Sequence, residues 1–191
     1  MCKNDCTMAS FKTAQFMELA RTQARLFSKD PHKKVGAIFV DPDSMAILST
    51  GYNGFCRGIH ESDYRWERKN KGKYVIHAEV NGIYNACRRG ISLNNSVAVV
   101  TMFPCLECAK SLIQCGVTSV VTVKPDYSDE RWGGQFRMSM DMFEEVGMKM
   151  NFVNCDDDGN DGKELLEKKE MNVIQSNQSN QSNVRENPLF T

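Results

Sequence analysis

The sequence predicts an α/β fold, a three-layer αβα sandwich built on a mixed sheet of about five strands with helices on both faces. The chain has 191 residues, a length that corresponds to about one domain. Its residues are 41% hydrophobic and 25% charged, which is typical of a globular protein rather than a collagen, a coiled coil or a disordered chain. Apolar segments of strand type and of helix type alternate along it.

Five apolar segments bounded by turn residues predict the strands. They cover residues 35–40, 47–52, 96–101, 118–123 and 148–153. The turn sequence at residues 41–44 predicts that the first two strands form a hairpin. Because a helix joins the last two strands, we expect them to be parallel.

Four segments with apolar residues at helical spacing predict the helices. They cover residues 11–27, 77–89, 106–115 and 135–146. Ser10 is expected to cap the first helix and Gly147 to end the last one. Residues 53–74 are polar and basic and contain three glycines, so we expect an active-site loop rather than regular elements.

The chain divides at residue 154 into a body and a tail. Residues 155–191 contain eight acidic and four basic residues and a repeated Ser-Asn-Gln triplet. Such a segment cannot bury much apolar surface, so we expect an acidic, polar tail that is disordered after about residue 172.

Charge and hydropathy exclude several classes of protein. Lys plus Arg equals Asp plus Glu at 24 each, which argues against a nucleic-acid-binding surface, since such surfaces are strongly basic. The sequence has no apolar run that would span a bilayer and no N-terminal export signal, so we expect no membrane association and a cytoplasmic location. The eight cysteines are then expected to be reduced thiols or metal ligands.

Two motifs together indicate a metal site. His-Ala-Glu at residues 77–79 begins a predicted helix, and Pro-Cys-Leu-Glu-Cys at residues 104–108 lies where a strand runs into a helix. Either motif alone is weak, because the first is often a surface pair and the second can be a redox dithiol. Together His77, Cys105 and Cys108 provide the three ligands of a zinc site that keeps one position for water. A helix N-terminus also favours the thiolate form that binds metal.

Glu79 is the expected proton-transfer group at this site. In a continuous helix, a residue and the second residue after it lie about 200° apart around the helix axis. His77 and Glu79 can therefore face one ion only if His77 lies at the helix entrance, where the chain is still extended.

This combination of motifs is the signature of zinc-dependent nucleobase deaminases, and the sequence as a whole resembles the deoxycytidylate deaminase family. The resemblance covers about residues 16–153 and rests on four separated motifs in the family's order. These are residues 51–54 (Gly-Tyr-Asn-Gly) with 55–58 (Phe-Cys-Arg-Gly), 73–74 (Lys-Tyr), 77–81 (His-Ala-Glu-Val-Asn), and 103–110 (Phe-Pro-Cys-Leu-Glu-Cys-Ala-Lys) with 113–116. Cys56 departs from the family's usual proline. Gly82 departs from its usual alanine, at an expected cost of about 1 kcal/mol in a helix interior.

The resemblance implies that residues 1–154 form a zinc-dependent deaminase domain with a cytidine-deaminase-like fold. His77, Cys105 and Cys108 would bind Zn²⁺, and Glu79 would be the proton shuttle. The implied reaction converts deoxycytidine monophosphate (dCMP) and water to dUMP and ammonia, supplying dUMP for thymidylate synthesis. The alternatives are deamination of another cytosine nucleotide or nucleoside, such as dCTP or cytidine, or of a base in RNA or DNA, and a non-catalytic, zinc-stabilised nucleotide-binding domain.

Four residues are expected to contact the substrate. Asn53 resembles the family asparagine that contacts sugar and base, and its alternative role is that of a turn residue with positive φ. Tyr127 resembles the aromatic residue near the pyrimidine, and its alternative role is loop packing. Arg57 and Lys73 are candidates for the 5′-phosphate, together with other basic residues: Arg21, Arg25, Lys29, Arg65 and Arg68.

The resemblance also implies regulation and assembly. The expected effectors are dCTP as activator and dTTP as inhibitor, with Mg²⁺ bound to the triphosphate. The effector pocket is expected to include Gly51, Tyr52 and Gly54, and the expected assembly is a homohexamer.

Overall fold

The structure is a computed structural model that describes residues 12–153. Its helices are α1 (Thr13–Phe27), α2 (Asp63–Trp66), α3 (Arg68–Lys71), α4 (Ala78–Arg89), α5 (Leu106–Gln114) and α6 (Gly133–Glu145). Its strands are β1 (Gly36–Val40), β2 (Ile47–Tyr52), β3 (Gly54–Phe55), β4 (Val75–Ile76), β5 (Val97–Val100), β6 (Ser119–Val123) and β7 (Lys149–Val153).

Five strands form a mixed sheet in the order β2-β1-β5-β6-β7. Strand β1 is antiparallel to β2 and to β5, whereas β5, β6 and β7 are parallel. The predicted α/β class, the five-stranded mixed sheet, the hairpin and the parallel last pair are therefore confirmed. The sheet order was not predicted, since it depends on long-range pairing.

Helices cover both faces of this sheet, as predicted. Alternate residues of β1 point to opposite faces, in keeping with the two-residue period of a strand. Ile38 and Val40 pack with Phe16 and Met17 of α1. Phe39 belongs to the other core layer, which includes buried residues of three helices: Ala78 and Ala86 of α4, Ala109 and Leu112 of α5, and Phe136 and Phe143 of α6.

Residues 53–74 are not the irregular loop that the sequence predicts. They contain β3, which pairs antiparallel with β4, and the single-turn helices α2 and α3. The ring of Phe55 stacks on that of Trp66 with centroids 4.2 Å apart and meets the ring of Tyr74 edge-on at 6.2 Å. These aromatic contacts stabilise elements that are too short for hydropathy periodicity to reveal.

Strand β2 and helix α4 pack in backbone contact. A Cβ on Gly51 would lie 2.1 Å from the carbonyl oxygen of Ala78, and one on Gly82 would lie 2.4 Å from the ring of Phe39. The Asn81 amide donates a hydrogen bond of 2.7 Å to the carbonyl of Tyr52. Gly82 thus has a packing role that its helix propensity does not show.

Some predicted features lie outside the described residues. Helix α1 begins at Thr13, with Lys12 at its N-cap position, so the cap predicted at Ser10 falls outside residues 12–153. The predicted tail at residues 155–191 also lies outside them and stays a prediction. Within the described part of the chain, no helix combines the length and the hydropathy that a membrane crossing requires.

Candidate functional site

The N-termini of α4 and α5 bring three candidate metal ligands together. His77 is the N-cap residue of α4 and Cys105 that of α5, both with extended backbone, and Cys108 lies in the first turn of α5. The Nδ1 atom of His77 lies 3.3 Å from the Sγ of Cys105 and 3.4 Å from the Sγ of Cys108. All three ligand atoms lie within 4.8 Å of one another.

This donor set fits zinc. Zn–S bonds of about 2.3 Å and Zn–N bonds of about 2.0 Å at tetrahedral angles separate the nitrogen and sulfur by about 3.5 Å, close to the distances observed here. Within residues 12–153, this is the one group of three His, Cys, Asp or Glu side chains whose ligand atoms meet so closely. Three protein ligands leave one position of a tetrahedral site for water or substrate.

The electrostatics of the cysteines favour metal binding. A hydrogen bond from the Cys108 thiol lowers the pKa of Cys105 to about 4, and the His77 ring acts in the same direction while burial opposes it. The same hydrogen bond, together with burial, raises the pKa of Cys108. A hydrogen bond with Cys105 raises the pKa of His77 against the effect of its burial. The cluster therefore contains a thiolate at neutral pH, the form of cysteine that binds metals.

Glu79 lies on the first turn of α4 and lines the same cavity as His77 and Cys105. Its side chain is buried, with the residue 4% exposed. Burial raises the pKa of its carboxyl to about 7. Such a group can both accept and donate a proton near neutral pH, which is what general acid–base catalysis requires.

The cavity beside the cluster has a volume of about 560 Å³, within the usual range of small-molecule sites, about 300–1,000 Å³. Trp132 lines it and meets the ring of His77 edge-on, with centroids 6.1 Å apart. Phe103 and Phe136 contribute apolar side chains to the wall of this cavity. The other polar or charged residues that line it are Asp30, His32, Lys33, Asn53, Arg68, Lys71, Asp129, Glu130 and Arg131.

Asn53 lines this cavity, but its amide is bonded to protein groups. Its Oδ1 accepts hydrogen bonds from the backbone N–H of Val35 and the hydroxyl of Ser28, each 2.8 Å long. Its Nδ2 donates to the Asp30 carboxylate at 3.0 Å and to the Lys33 carbonyl at 2.9 Å. The turn with positive φ, proposed above as an alternative, is not found at this residue. Asn53 therefore holds together the wall of the cavity.

Three other predicted substrate contacts lie elsewhere in the structure. Arg57 hydrogen-bonds to Asn85 and lines a second cavity. Lys73 is exposed, and the guanidinium of Arg137 lies 4.7 Å from the centroid of the Tyr127 ring. Neither Lys73 nor Tyr127 lines the cavity beside the cluster.

Sequence reasoning missed several residues of the first cavity, namely Lys33, Lys71, Arg131 and Trp132. Arg131 and Trp132 follow β6, near the carboxyl end of a parallel strand, where α/β proteins commonly bind ligands. That position could have identified them. For Lys33 and Lys71, no spacing or composition gave a signal.

The second cavity has a volume of about 520 Å³. Of the residues expected in an effector pocket, Tyr52 and Gly54 line it. Gly51 is buried against α4 instead. Three cationic side chains also line this cavity: Lys29, Arg57 and Arg88.

The chain is similar to several known proteins. Residues 11–124 match the sequence model described as the cytidine and deoxycytidylate deaminase zinc-binding region. The probable deoxycytidylate deaminase of Caenorhabditis elegans is 42% identical over 113 residues, which are 57% of this chain and 55% of that protein. The probable deoxycytidylate deaminase of Drosophila melanogaster is 37% identical over 133 residues, which are 64% of this chain and 63% of that protein. The chain thus matches just over half to just under two thirds of the length of these relatives.

A solved structure is also similar. The crystal structure of dCMP deaminase from the cyanophage S-TIM5, in complex with dCMP and dUMP, superposes with a TM-score of 0.61 at 25% identity. The match covers 73% of this chain and 94% of the phage chain.

Proposed function

The chain belongs to the cytidine and deoxycytidylate deaminase family, and we propose that it hydrolyses the 4-amino group of dCMP to give dUMP and ammonia. The observation that carries this proposal is the meeting of His77, Cys105 and Cys108, of which His77 and Cys105 line one cavity with the buried Glu79. Further support for the substrate comes from the probable deoxycytidylate deaminases of C. elegans and D. melanogaster and from the phage dCMP deaminase solved in complex with dCMP and dUMP.

His77, Cys105 and Cys108 are the residues that would hold Zn²⁺. Bound there, zinc supplies the Lewis acidity that lowers the pKa of a water molecule toward about 7. The extended backbone at His77 and at Cys105 directs the ligands of two helices to one point. The Trp132 ring packs edge-on against His77 and supports the orientation of the imidazole.

Glu79 carries the protons of the reaction. Its carboxylate takes a proton from the attacking water and delivers it to N3 of the pyrimidine, which makes C4 more electrophilic. The water oxygen bonds to C4, and a second proton transfer through Glu79 allows the 4-amino group to leave as ammonia. The water thus supplies the oxygen at C4 of dUMP, the proton on N3 and the one proton that the leaving 4-amino group gains. A carboxyl whose burial raises its pKa to about 7 suits both directions of transfer.

The second cavity is the proposed site of regulation. Its cationic residues suit a nucleoside triphosphate, and its wall includes Tyr52 and Gly54. Following the family resemblance, we assign dCTP as activator and dTTP as inhibitor, each bound with Mg²⁺. On the same basis the protein would act as a cytoplasmic homohexamer that supplies dUMP for thymidylate synthesis.

The test is to incubate the zinc-loaded protein with cytidine, deoxycytidine, dCMP and dCTP and to measure the ammonia released. We expect the highest kcat/KM with dCMP, and inhibition by dTTP that dCTP reverses. A clear preference for an unphosphorylated nucleoside would contradict the proposed substrate. Absence of ammonia at full zinc occupancy would instead favour a non-catalytic, nucleotide-binding domain.

A further inference from the structure

A buried ion pair lies in the wall of the catalytic cavity. The Lys71 ammonium of α3 donates to both carboxylate oxygens of Asp30, at 2.8 and 2.6 Å. The two side chains are 13% and 1% exposed. Because its charge is neutralised by Asp30, Lys71 offers little attraction to an anionic ligand.

Asp30 also organises the chain around itself. Its carboxylate accepts hydrogen bonds from the backbone N–H groups of His32 and Lys33, at 2.8 and 3.2 Å. It accepts a further hydrogen bond from the amide of Asn53. One buried carboxylate therefore joins the segment after α1, the end of β2 and helix α3.

Two cations of this wall have no acidic partner in the described part of the chain. Lys33 and Arg68 line the cavity and are exposed. Within residues 12–153, neither has a carboxylate within ion-pairing distance. Other lysines are paired with glutamates: Lys29 with Glu61, Lys69 with Glu67 and Lys110 with Glu107.

The wall formed by residues 129–132 has the opposite balance of charge. It contributes the carboxylates of Asp129 and Glu130 and one guanidinium, that of Arg131. This guanidinium lies over the ring of Trp132, 4.8 Å from its centroid. A phosphate monoester carries about −1.5 to −2 charges at neutral pH, so it is attracted to the wall of Lys33 and Arg68 and repelled by that of Asp129 and Glu130.

We infer that Lys33 and Arg68 bind the 5′-phosphate of the substrate and that the Asp30–Lys71 pair positions them. Asp30 holds Lys33 through its backbone N–H and holds α3 through Lys71, three residues after Arg68. This inference rests on the proposed deaminase function and replaces Arg57 and Lys73 as the phosphate-binding residues. It makes Lys33 and Arg68 the residues that distinguish a nucleotide from a nucleoside.

The first test compares kcat/KM for dCMP and for deoxycytidine in the wild type and in the variants Lys33→Gln and Arg68→Gln. Loss of one charged hydrogen bond is expected to lower kcat/KM for dCMP by roughly 10- to 100-fold. The value for deoxycytidine should change less than about twofold. Lys69→Gln is the matched control, because Lys69 neighbours Arg68, pairs with Glu67 and does not line the cavity. Equal losses for both substrates, or an equal loss in the control, would overturn the inference.

A binding measurement keeps this test separate from turnover. Calorimetric titration of the zinc-loaded protein with dUMP and with deoxyuridine should show tighter binding of dUMP. That preference should fall by a similar factor in Lys33→Gln and Arg68→Gln. If the variants keep the preference for dUMP over deoxyuridine, the phosphate assignment is overturned, whether or not ammonia is formed. If the variants lose that preference but the wild type releases no ammonia from dCMP, only the proposed function is overturned.

The positioning role of the ion pair has its own test. Lys71→Met should raise KM for dCMP by about tenfold with little change in kcat, because the loss of a positioned contact worth roughly 1.4 kcal/mol corresponds to a factor of ten. It should leave KM for deoxycytidine unchanged. Lys71→Arg, which keeps the charge, should restore most of the loss. A Lys71→Met variant with KM raised equally for both substrates would show a merely structural role for the pair.

Discussion

His77 and Glu79 line the same cavity although only one residue separates them, because the chain is extended at His77 and helical from Ala78 onward. In an uninterrupted helix the two side chains would point about 200° apart. The start of α4 therefore places a candidate metal ligand and a candidate acid–base group on one cavity, and substitution can distinguish their proposed roles.

Substitution of Glu79 should separate metal binding from turnover. We expect Glu79→Ala and Glu79→Gln to retain zinc, because neither removes a ligand, and to lower kcat for dCMP by about 10²- to 10⁴-fold. Zinc content measured by atomic emission and ammonia release measured on the same samples check this. Glu107→Gln, which changes an exposed carboxylate on the first turn of α5, is the control. Near-normal turnover in the Glu79 variants would remove the proposed role.

The raised pKa of Glu79 predicts how stability depends on pH in the metal-stripped protein. The folded state holds a proton on this carboxyl up to a pKa of about 7, against an ordinary value of 4.5. Stability of the wild type should therefore fall as the pH rises from about 4.5 to 7, and the loss should persist above pH 7. Glu79→Gln avoids this loss, so at pH 8 it should be more stable than the wild type by about 3 kcal/mol.

Urea denaturation at pH 4 and pH 8 checks this prediction, because the difference between the two proteins should nearly vanish at pH 4. Glu107→Gln should differ from the wild type by no more than about 0.5 kcal/mol at pH 8. A difference for Glu79→Gln that is the same at both pH values would contradict it.

Gly82→Ala tests packing against helix propensity. Propensity alone predicts a gain of about 1 kcal/mol, but the new Cβ would lie 2.4 Å from the ring of Phe39. We expect a net loss of about 1–3 kcal/mol, as for an overpacked core. Gly72→Ala is the control, because among the described residues no atom beyond its own chain neighbours lies within 4 Å of its Cβ position. The midpoint of urea denaturation decides, and a stabilised Gly82→Ala variant would refute the packing argument.

The Asp30–Lys71 pair should show strong coupling in a double-mutant cycle. Lys71→Met leaves a buried carboxylate without its charged partner, which typically costs about 3–5 kcal/mol. Combining it with Asp30→Asn should cost less than the sum of the single changes, with a coupling of about 1–3 kcal/mol. The exposed Lys69–Glu67 pair is the comparison, and its coupling should be below about 1 kcal/mol. Additive effects at Asp30 and Lys71 would contradict the description of this pair.

The pH dependence of the same pair has the opposite sign to that of Glu79. Burial acts to raise the pKa of Asp30, but the hydrogen bonds from Lys71 and from the backbone of His32 and Lys33 outweigh it and hold the pKa below its ordinary value of 3.8. The stabilisation from this carboxylate is thus complete above pH 3.8 and is lost as the pH falls through the lowered pKa.

Hydropathy periodicity predicted the long elements correctly because a strand or helix that covers a core repeats its apolar residues. It could not predict β3 and β4, because each strand has only two residues. Their pairing depends on contacts between distant parts of the chain, such as the stacking of Phe55 on Trp66. The cluster of candidate metal ligands was predictable, since residue type and helix-start position define it locally. Arg68 was among the basic residues named as phosphate candidates, but Lys33 was not, because it reaches the same cavity only through contacts that Asp30 makes across the fold.

Residues of helix α4 line both cavities described above. Its first turn carries Glu79 beside the catalytic cavity, and later residues, including Asn81 and Arg88, line the second one. Gly51 and Gly82 allow the backbones of this helix and β2 to approach closely, and the side chains of Asn81 and Asn85 donate hydrogen bonds to carbonyl groups of β2. Any displacement of α4 would therefore carry β2 with it, so the walls of the two cavities are mechanically linked through one helix and the edge strand of the sheet.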